Sequence, residues 1–386
     1  MSAADALARI DRNDAELQAW VHVDRDAAQA VPANGPLAGM PFGVKDIIDV
    51  RGMPTRYGLQ NFGVAAAPLD AWCVAALRAA GAIPIGKTHT TALAFRDPAP
   101  TRNPHHPAHT PGGSSSGSAA AVSAGHVPFA LGTQTLGSVV RPSAFCGVVG
   151  YKPTHAAIPG QGVMPQAPSL DTVGIIAANV QLTAQIAAVF LTGLDAAPVV
   201  APRVAVAPDA FGDRFEPAVH AALAAAADGI AAAGATLERI ALPPIVADAI
   251  APHWTIARFE ARAELLPLRA HGLPPLVDAY LADAAATTYD TYREAREFQA
   301  RTRRQIAALL ERYDVLVLAC ANPAPDRAST GDVVPFMPWT FWGLPALTLP
   351  VARSVEGLPI GVQLVAAPGA DATLLRTARW IERALA

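Results

Sequence analysis

The stretch TPGGSSSGSAAAVSAGHVPFALGTQTLGSVVRPSAFCGVVGYKPT, residues 110–154, decides how the chain is organised. Its opening belongs to a longer run, Arg96–Gly117, rich in Pro, His, Gly and Ser, which reads as loop. Ser118–Gly125 predicts a short Ala-rich helix stopped by Gly125. Val127–Leu131 predicts a strand, Gly132–Pro142 a polar turn, and Cys146–Tyr151 a second apolar strand. Helices alternating with buried strands indicate an α/β architecture.

The same alternation extends in both directions. Residues 4–31 carry Ile10, Leu17, Trp20 and Val21 at helical spacing. VKDIIDV (44–50) and IPIGKT (83–88) read as strands, and Asp70–Gly81 as an amphipathic helix stopped by glycine. Downstream, Ala178–Leu194 and Glu216–Ala233 read as helices, and RVAVA (203–207) and ATLERIAL (235–242) as strands. Residues 247–313 are helical, DVLVLA (314–319) is a buried strand, LPALTLPVA and GVQLVA (344–352, 361–366) are paired strands, and Ala372–Ala386 is a closing helix. No repeat or low-complexity linker interrupts the chain. One large α/β domain over 1–386 is expected, a mixed sheet flanked by helices on both faces.

Composition narrows the function. Hydrophobic residues are 52% and charged residues 16%, so a chain of 386 residues can bury a large core. A net charge of −3 argues against a nucleic-acid or anionic-membrane partner. The N-terminus has no apolar signal core, and no apolar run is long enough to span a bilayer, so a cytoplasmic location is expected. Cys73, Cys146 and Cys320 have neither disulfide nor zinc spacing, and no metal or organic cofactor is implied. Only three of the 29 basic residues are lysine: Lys45, Lys87 and Lys152. An ammonium can lose its proton when desolvated, whereas a guanidinium effectively cannot, so a retained lysine is a candidate base.

Three segments carry candidate chemistry. The loop GGSSSGS (112–118) fits a flexible linker as well as a functional turn. A phosphate-binding loop is excluded because no lysine follows. Gly113-x-Ser115-x-Gly117 fits a nucleophile elbow, yet over a hundred residues follow the last histidine, His271, which does not suit the triad order of that fold. In the second segment, Ser138 follows Gly137 in a turn leaving a strand, a place that presents a hydroxyl beside free backbone N–H groups. The third, PFGVKDIIDV (41–50), sets Lys45 in an apolar stretch, where it is either a neutral base or half of a buried ion pair with Asp46 or Asp49.

Taken together, the motifs resemble the amidase signature family. GGSSSGS (112–118), GTQTLGSVVRP (132–142) and GVKD (43–46) match that family's loop, turn and lysine motifs, and Ser138 lies 24 residues after Ser114 as in the family. FCGVVGYKPT, PSLDTVG, YDVLVLA, GLPALTLPVA, GLPIGVQLVA and ATLLRTA match as well, from about residue 5 to the C-terminus. The resemblance implies a signature core over about 40–180, a variable pocket region over about 200–313, and C-terminal strands and helix over 314–386.

It also implies roles. Ser138 would be the acylated nucleophile. Ser114, after a cis peptide from Gly113, would bridge it to a neutral Lys45. The N–H groups of Thr135, Leu136, Gly137 and Ser138 would form the oxyanion hole, and Ser115 would be an auxiliary hydrogen-bonding residue. Lys87, Lys152 and Arg141 are read as structural. The implied activity is hydrolysis of a small-molecule carboxamide to acid and ammonia or amine. The alternatives are the glutaminase-type subunit of a tRNA-dependent amidotransferase, or a non-catalytic relative. The choice of amide and any homo-oligomer stay open. Three departures from the family pattern stand out: Gln134 for Asp, Leu136 for Gly and His109 for Arg. A leucine at 136 would be strained if that position needed a positive φ. Trp339, Phe341 and Trp342 are candidate pocket walls, with core packing as the competing role.

Overall fold

The computed structural model describes residues 1–59, 62–194 and 199–386. Its centre is one sheet of eleven strands among the described residues. They are β1 (Trp20–Val23), β2 (Pro41–Lys45), β3 (Ile83–Thr88), β4 (Phe129–Gln134), β5 (Val149–Lys152), β6 (Thr172–Ala177), β7 (Arg203–Val206), β8 (Thr236–Arg239), β9 (Val315–Ala319), β10 (Ala346–Arg353) and β11 (Pro359–Val365). The spatial order is β1-β3-β2-β4-β6-β5-β10-β11-β9-β7-β8. β3-β2-β4 and β9-β7-β8 are parallel, and the strands between them run antiparallel. The sheet is therefore mixed.

The pleat explains why both faces need helices. In β9, Val315, Val317 and Ala319 enter one apolar cluster, and Leu316 and Leu318 enter another on the opposite face. In β4, Phe129 and Leu131 face the first cluster, while Ala130 joins a third with Ala119–Val122 and Ile10. Strands buried on both faces read as continuous apolar runs, as seen in VLVLA. The helices Trp72–Ala79, Pro217–Ala232 and Asp371–Ala384 pack into the first cluster. The helices Ala3–Leu17 and Ser116–Ser123 pack into the third.

Most predicted elements are present with shifted ends, and three differ. Trp20 and Val21 lie in β1 rather than a helix. The preceding helix stops at Gln18, which is left-handed at φ 56° with its N–H bonded to Asp14 O, and the chain then pairs with β3. VKDIIDV is strand only to Lys45; beyond it, the N–H groups of Ile47 and Ile48 turn back onto Lys45 O. Ile48 and Val50 are fully buried, so the apolar run marked burial and not strand. Finally, Val140–Cys146 is a helix where a turn and a strand start were expected. Pro142 sits in its first turn, where a missing N–H costs nothing.

No helix among the described residues is long and apolar enough to cross a membrane.

Candidate active site

Lys45 closes β2 and Gln134 closes β4, two neighbouring parallel strands. Side chains and loops at the carboxyl ends of such strands share one crevice. The Gly-Ser loop returns to that end before the helix Ser116–Ser123. Gly112 takes φ +83°, and the Gly113–Ser114 peptide is cis, as the resemblance implied. Arg141 holds this segment: its guanidinium donates to Gly113 O at 2.7 Å and to Gly331 O.

Lys45 Nζ lies 2.7 Å from Ser114 Oγ, 2.7 Å from Thr133 Oγ1 and 3.4 Å from Thr133 O. The side chain is fully buried, and burial holds its pKa well below the ordinary ammonium range; Asp171 opposes this only at a distance. The ion-pair alternative fails on geometry. Asp46 accepts from Lys87 Nζ at 3.2 Å, and among the described residues no salt bridge reaches Lys45. An amine with two hydroxyl neighbours and no counter-ion is disfavoured as the charged form in this interior.

Ser138 lies in the turn after β4. Its Oγ makes no hydrogen bond among the described residues, so the Ser138–Ser114 link of the implied relay is not formed here; the two segments meet through Ser115 N–H donating to Ser138 O at 3.3 Å. Ser115 Oγ also brackets the Thr133 backbone, 3.3 Å from its N–H and 3.4 Å from its carbonyl. Gly132 makes room for this approach, because a Cβ there would sit 2.7 Å from Ser115 Oγ.

The turn 135–138 is polarised along its length. Every carbonyl is engaged: Thr135 O faces His253 Nε2 at 3.0 Å, Leu136 O accepts from Thr340 Oγ1 at 3.1 Å, Gly137 O from Arg141 N at 2.9 Å, and Ser138 O from Ser115 N. None of the N–H groups of Thr135, Leu136, Gly137 and Ser138 donates a hydrogen bond among the described residues, although all four residues are buried. Buried backbone donors are nearly always paired. Four in succession without partners form a place for an electron-rich oxygen.

Gln134 shapes this turn. Its Oε1 accepts from Val139 N at 2.9 Å and Val140 N at 3.0 Å, and its Nε2 donates to Thr340 Oγ1 at 2.9 Å. The amide thus accepts as a carboxylate would and adds a donor. Leu136 does not take a positive φ, so the leucine carries no such strain. Its side chain packs with Val333 and Met337, beside Ile250 and Trp254. His109 hydrogen-bonds Ala324 O through Nδ1 at 2.6 Å.

Lys87 and Lys152 are buried and tied to neighbouring segments. Lys87 is held by Asp46, Thr55 and Pro54, and Lys152 donates to Pro153 O at 2.8 Å. Trp339, Phe341 and Trp342 are core residues rather than pocket walls. All three are at most 1% exposed, and the indoles donate to Pro335 O and Thr302 Oγ1.

The sequence reading missed Thr133, Asp171, His253 and Thr340. Asp171 is half-buried, accepts from Thr135 Oγ1 at 2.5 Å and from the N–H groups of Gln166 and Ala167, and desolvation raises its pKa. Thr133 and Asp171 sit inside quoted motifs, so their segments were visible but not their partners. A cavity of about 390 Å³ reaches Thr133, Thr135 and Asp171, with Ile47, Ile158 and Met164 as apolar walls. A larger one of about 740 Å³, beside Asp46, Arg56 and His89, lies away from the serines. The smaller is lined by Thr135, whose N–H is one of the unpaired donors, and by Thr133, a neighbour of Lys45. No group of metal-ligating side chains is present among the described residues.

Comparison with known proteins shows the family and the fold. The family described as Amidase matches residues 3–375. A glutamyl-tRNA(Gln) amidotransferase subunit from Koribacter versatilis is 30% identical, over 98% of this chain and 93% of that protein. The crystal structure of an amidase superposes with a TM-score of 0.91 at 28% identity, covering 100% of this chain and 97% of the other. The peptide amidase of Stenotrophomonas maltophilia gives a TM-score of 0.83 at 26% identity, covering 99% and 93%.

Proposed function

The chain belongs to the amidase family, and on that premise we propose that it hydrolyses a carboxamide through an acyl-enzyme on Ser138. Ser138 Oγ attacks the amide carbon. Its proton passes to Ser114 Oγ, whose own proton passes to Lys45 Nζ. The carbonyl oxygen becomes an oxyanion facing the N–H groups of 135–138. The C–N bond then breaks, and the proton on Lys45 returns through Ser114 to the leaving nitrogen, releasing ammonia or an amine. Water, deprotonated by the same relay, attacks the ester and releases the acid. Hydroxyl-to-hydroxyl contacts of this kind tighten when substrate fills the site, so a free Ser138 Oγ suits the resting state.

The observation that carries this reading is the fully buried amine of Lys45, with no counter-ion among the described residues, at 2.7 Å from Ser114 Oγ. Each unpaired N–H that reaches the oxyanion is worth about 3 kcal/mol in the transition state. The cavity beside Thr133 and Thr135 suits an acyl group with an apolar body. Three buried, unpaired cysteines suit a reducing, cytoplasmic compartment.

A fluorophosphonate probe tests the reading. Wild-type protein is expected to be labelled, with labelling lost in Ser138→Ala. An unlabelled wild type would favour the non-catalytic relative. A second reading, prompted by the name of the Koribacter protein, makes the chain the glutaminase-type component of an amidotransferase. In an amide panel, ammonia release from glutamine alone, rising with a co-purified partner chain, would establish that reading and displace the first.

A further inference from the structure

His253 lies on the helix Ile250–Leu265, in the region read as variable, and is fully buried. Its two ring nitrogens face carbonyl oxygens, Nε2 at 3.0 Å from Thr135 O and Nδ1 at 3.0 Å from Met337 O. A carbonyl only accepts, so two hydrogen bonds would require the charged ring. Burial overrides both contacts and pulls the imidazole pKa down to about 4. The ring is therefore neutral at pH 7, with one proton to place between two acceptors.

The acceptors differ. Met337 opens the helix Met337–Phe341, where its carbonyl has the N–H four residues on as a partner. Thr135 O has no other donor among the described residues. Leaving it unpaired in this interior would cost about 1–3 kcal/mol. The proton belongs on Nε2.

That bond has a consequence across the peptide. In a trans peptide the N–H points opposite to the C=O. Holding Thr135 O from behind fixes where the N–H of Leu136 points, and drawing on the carbonyl makes that N–H a stronger donor. We propose that His253, as its Nε2–H tautomer, is a positioning residue that aims and polarises the Leu136 N–H for the oxyanion. This rests on the acyl-enzyme reading above. Stacking against Phe341, ring centroids 6.1 Å apart, holds the imidazole in plane for the task.

Two variants separate aiming from packing. A glutamine amide nitrogen reaches the place of Nε2, and an asparagine amide nitrogen the place of Nδ1. The readout is the rate at which a fluorophosphonate labels Ser138, measured well below each variant's unfolding midpoint. His253→Gln is expected to stay within an order of magnitude of wild type. His253→Asn and His253→Leu are expected to fall by about 10- to 100-fold, less than the loss of a whole donor. Equal rates for His253→Gln and His253→Asn, whether both high or both low, overturn the proposal. Should the variants not fold, ¹⁵N–¹H correlation on wild-type histidines decides: a proton on Nε2 of His253 supports the proposal, and one on Nδ1 overturns it. A wild type that is not labelled at all indicts the acyl-enzyme reading, and with it this inference. A labelled wild type with indifferent variants indicts only the inference.

Discussion

Asp46 follows Lys45 in sequence, yet its carboxylate is bound to Lys87 Nζ, 3.2 Å away on the adjacent strand β3. Two buried lysines of one small neighbourhood are thereby given opposite characters. Lys87 keeps a counter-ion; Lys45 has none.

That division predicts opposite mutational signatures. Lys87→Met strands a buried carboxylate and should cost about 3–5 kcal/mol of stability in urea unfolding. Lys45→Met should cost far less, because it removes a neutral group, and should lower Ser138 acylation by several orders of magnitude. Lys45→Arg should be equally inactive, since a guanidinium stays charged. Wild-type turnover in either Lys45 variant would remove it as the base.

The pH profile follows from the same amine. Burial favours the uncharged form, so kcat/KM should rise with pH through a depressed lysine pKa and then level off. The plateau should begin well below the ordinary ammonium range. A profile that still climbs at pH 10 would mean the amine is charged at rest.

Gln134 should matter for the oxyanion turn. Gln134→Leu removes the acceptor of two buried N–H groups and the donor to Thr340. The expected losses are about 1–3 kcal/mol in stability and, separately, slower probe labelling of the folded protein. Unchanged labelling would show that the turn keeps its shape without the clamp.

Acid should unfold the protein before carboxylates are the issue. Burial lowers the pKa of His89, His126 and His253 to about 4. For His126 the partners are explicit: Trp20 Nε1 donates to its Nδ1 at 3.0 Å, and its Nε2 faces Asn13 Oδ1 at 2.5 Å, which fits one neutral tautomer. Between the unfolded value of about 6.5 and the folded value of about 4, the unfolded chain binds protons that the folded chain does not. Stability should therefore fall as pH drops through that window, by about 1.4 kcal/mol per unit of depression at each site. A urea midpoint flat from pH 7 to 4.5 would contradict this.

All three thiols are buried, and burial raises the pKa of Cys73 and Cys320 to about 12 and pushes Cys146 up as well. Ellman's reagent should find no reactive thiol in the native protein and three after denaturation. Rapid native reaction would mean local opening around one of them.

Much of this was legible in the sequence because it is written locally. The helix at 72–79, the strand at 83–88 and the loop carrying Ser114 announce themselves by period, glycine stops and composition. The helix Val140–Cys146 was not legible, because its capping acceptor is Gln134, placed by a strand end and not by the residue before the helix. His253 lies 118 residues from Thr135 in sequence, and nothing in its own segment signals that contact. Lys45 was singled out by scarcity. That Asp46 leaves it unpaired depends on how β2 and β3 align, which no single segment encodes.

The strand order bears on when the sheet can exist at all. β10 and β11 follow every other strand in sequence, yet lie between β5 and β9. A nascent chain halted before Ala346 has the strands of both flanks but nothing to join them, and it exposes the edges of β5 and β9 to any neighbouring chain. Synthesis must thus pass β11 before the two halves close, and chains cut before Ala346 should yield aggregates rather than a smaller working protein.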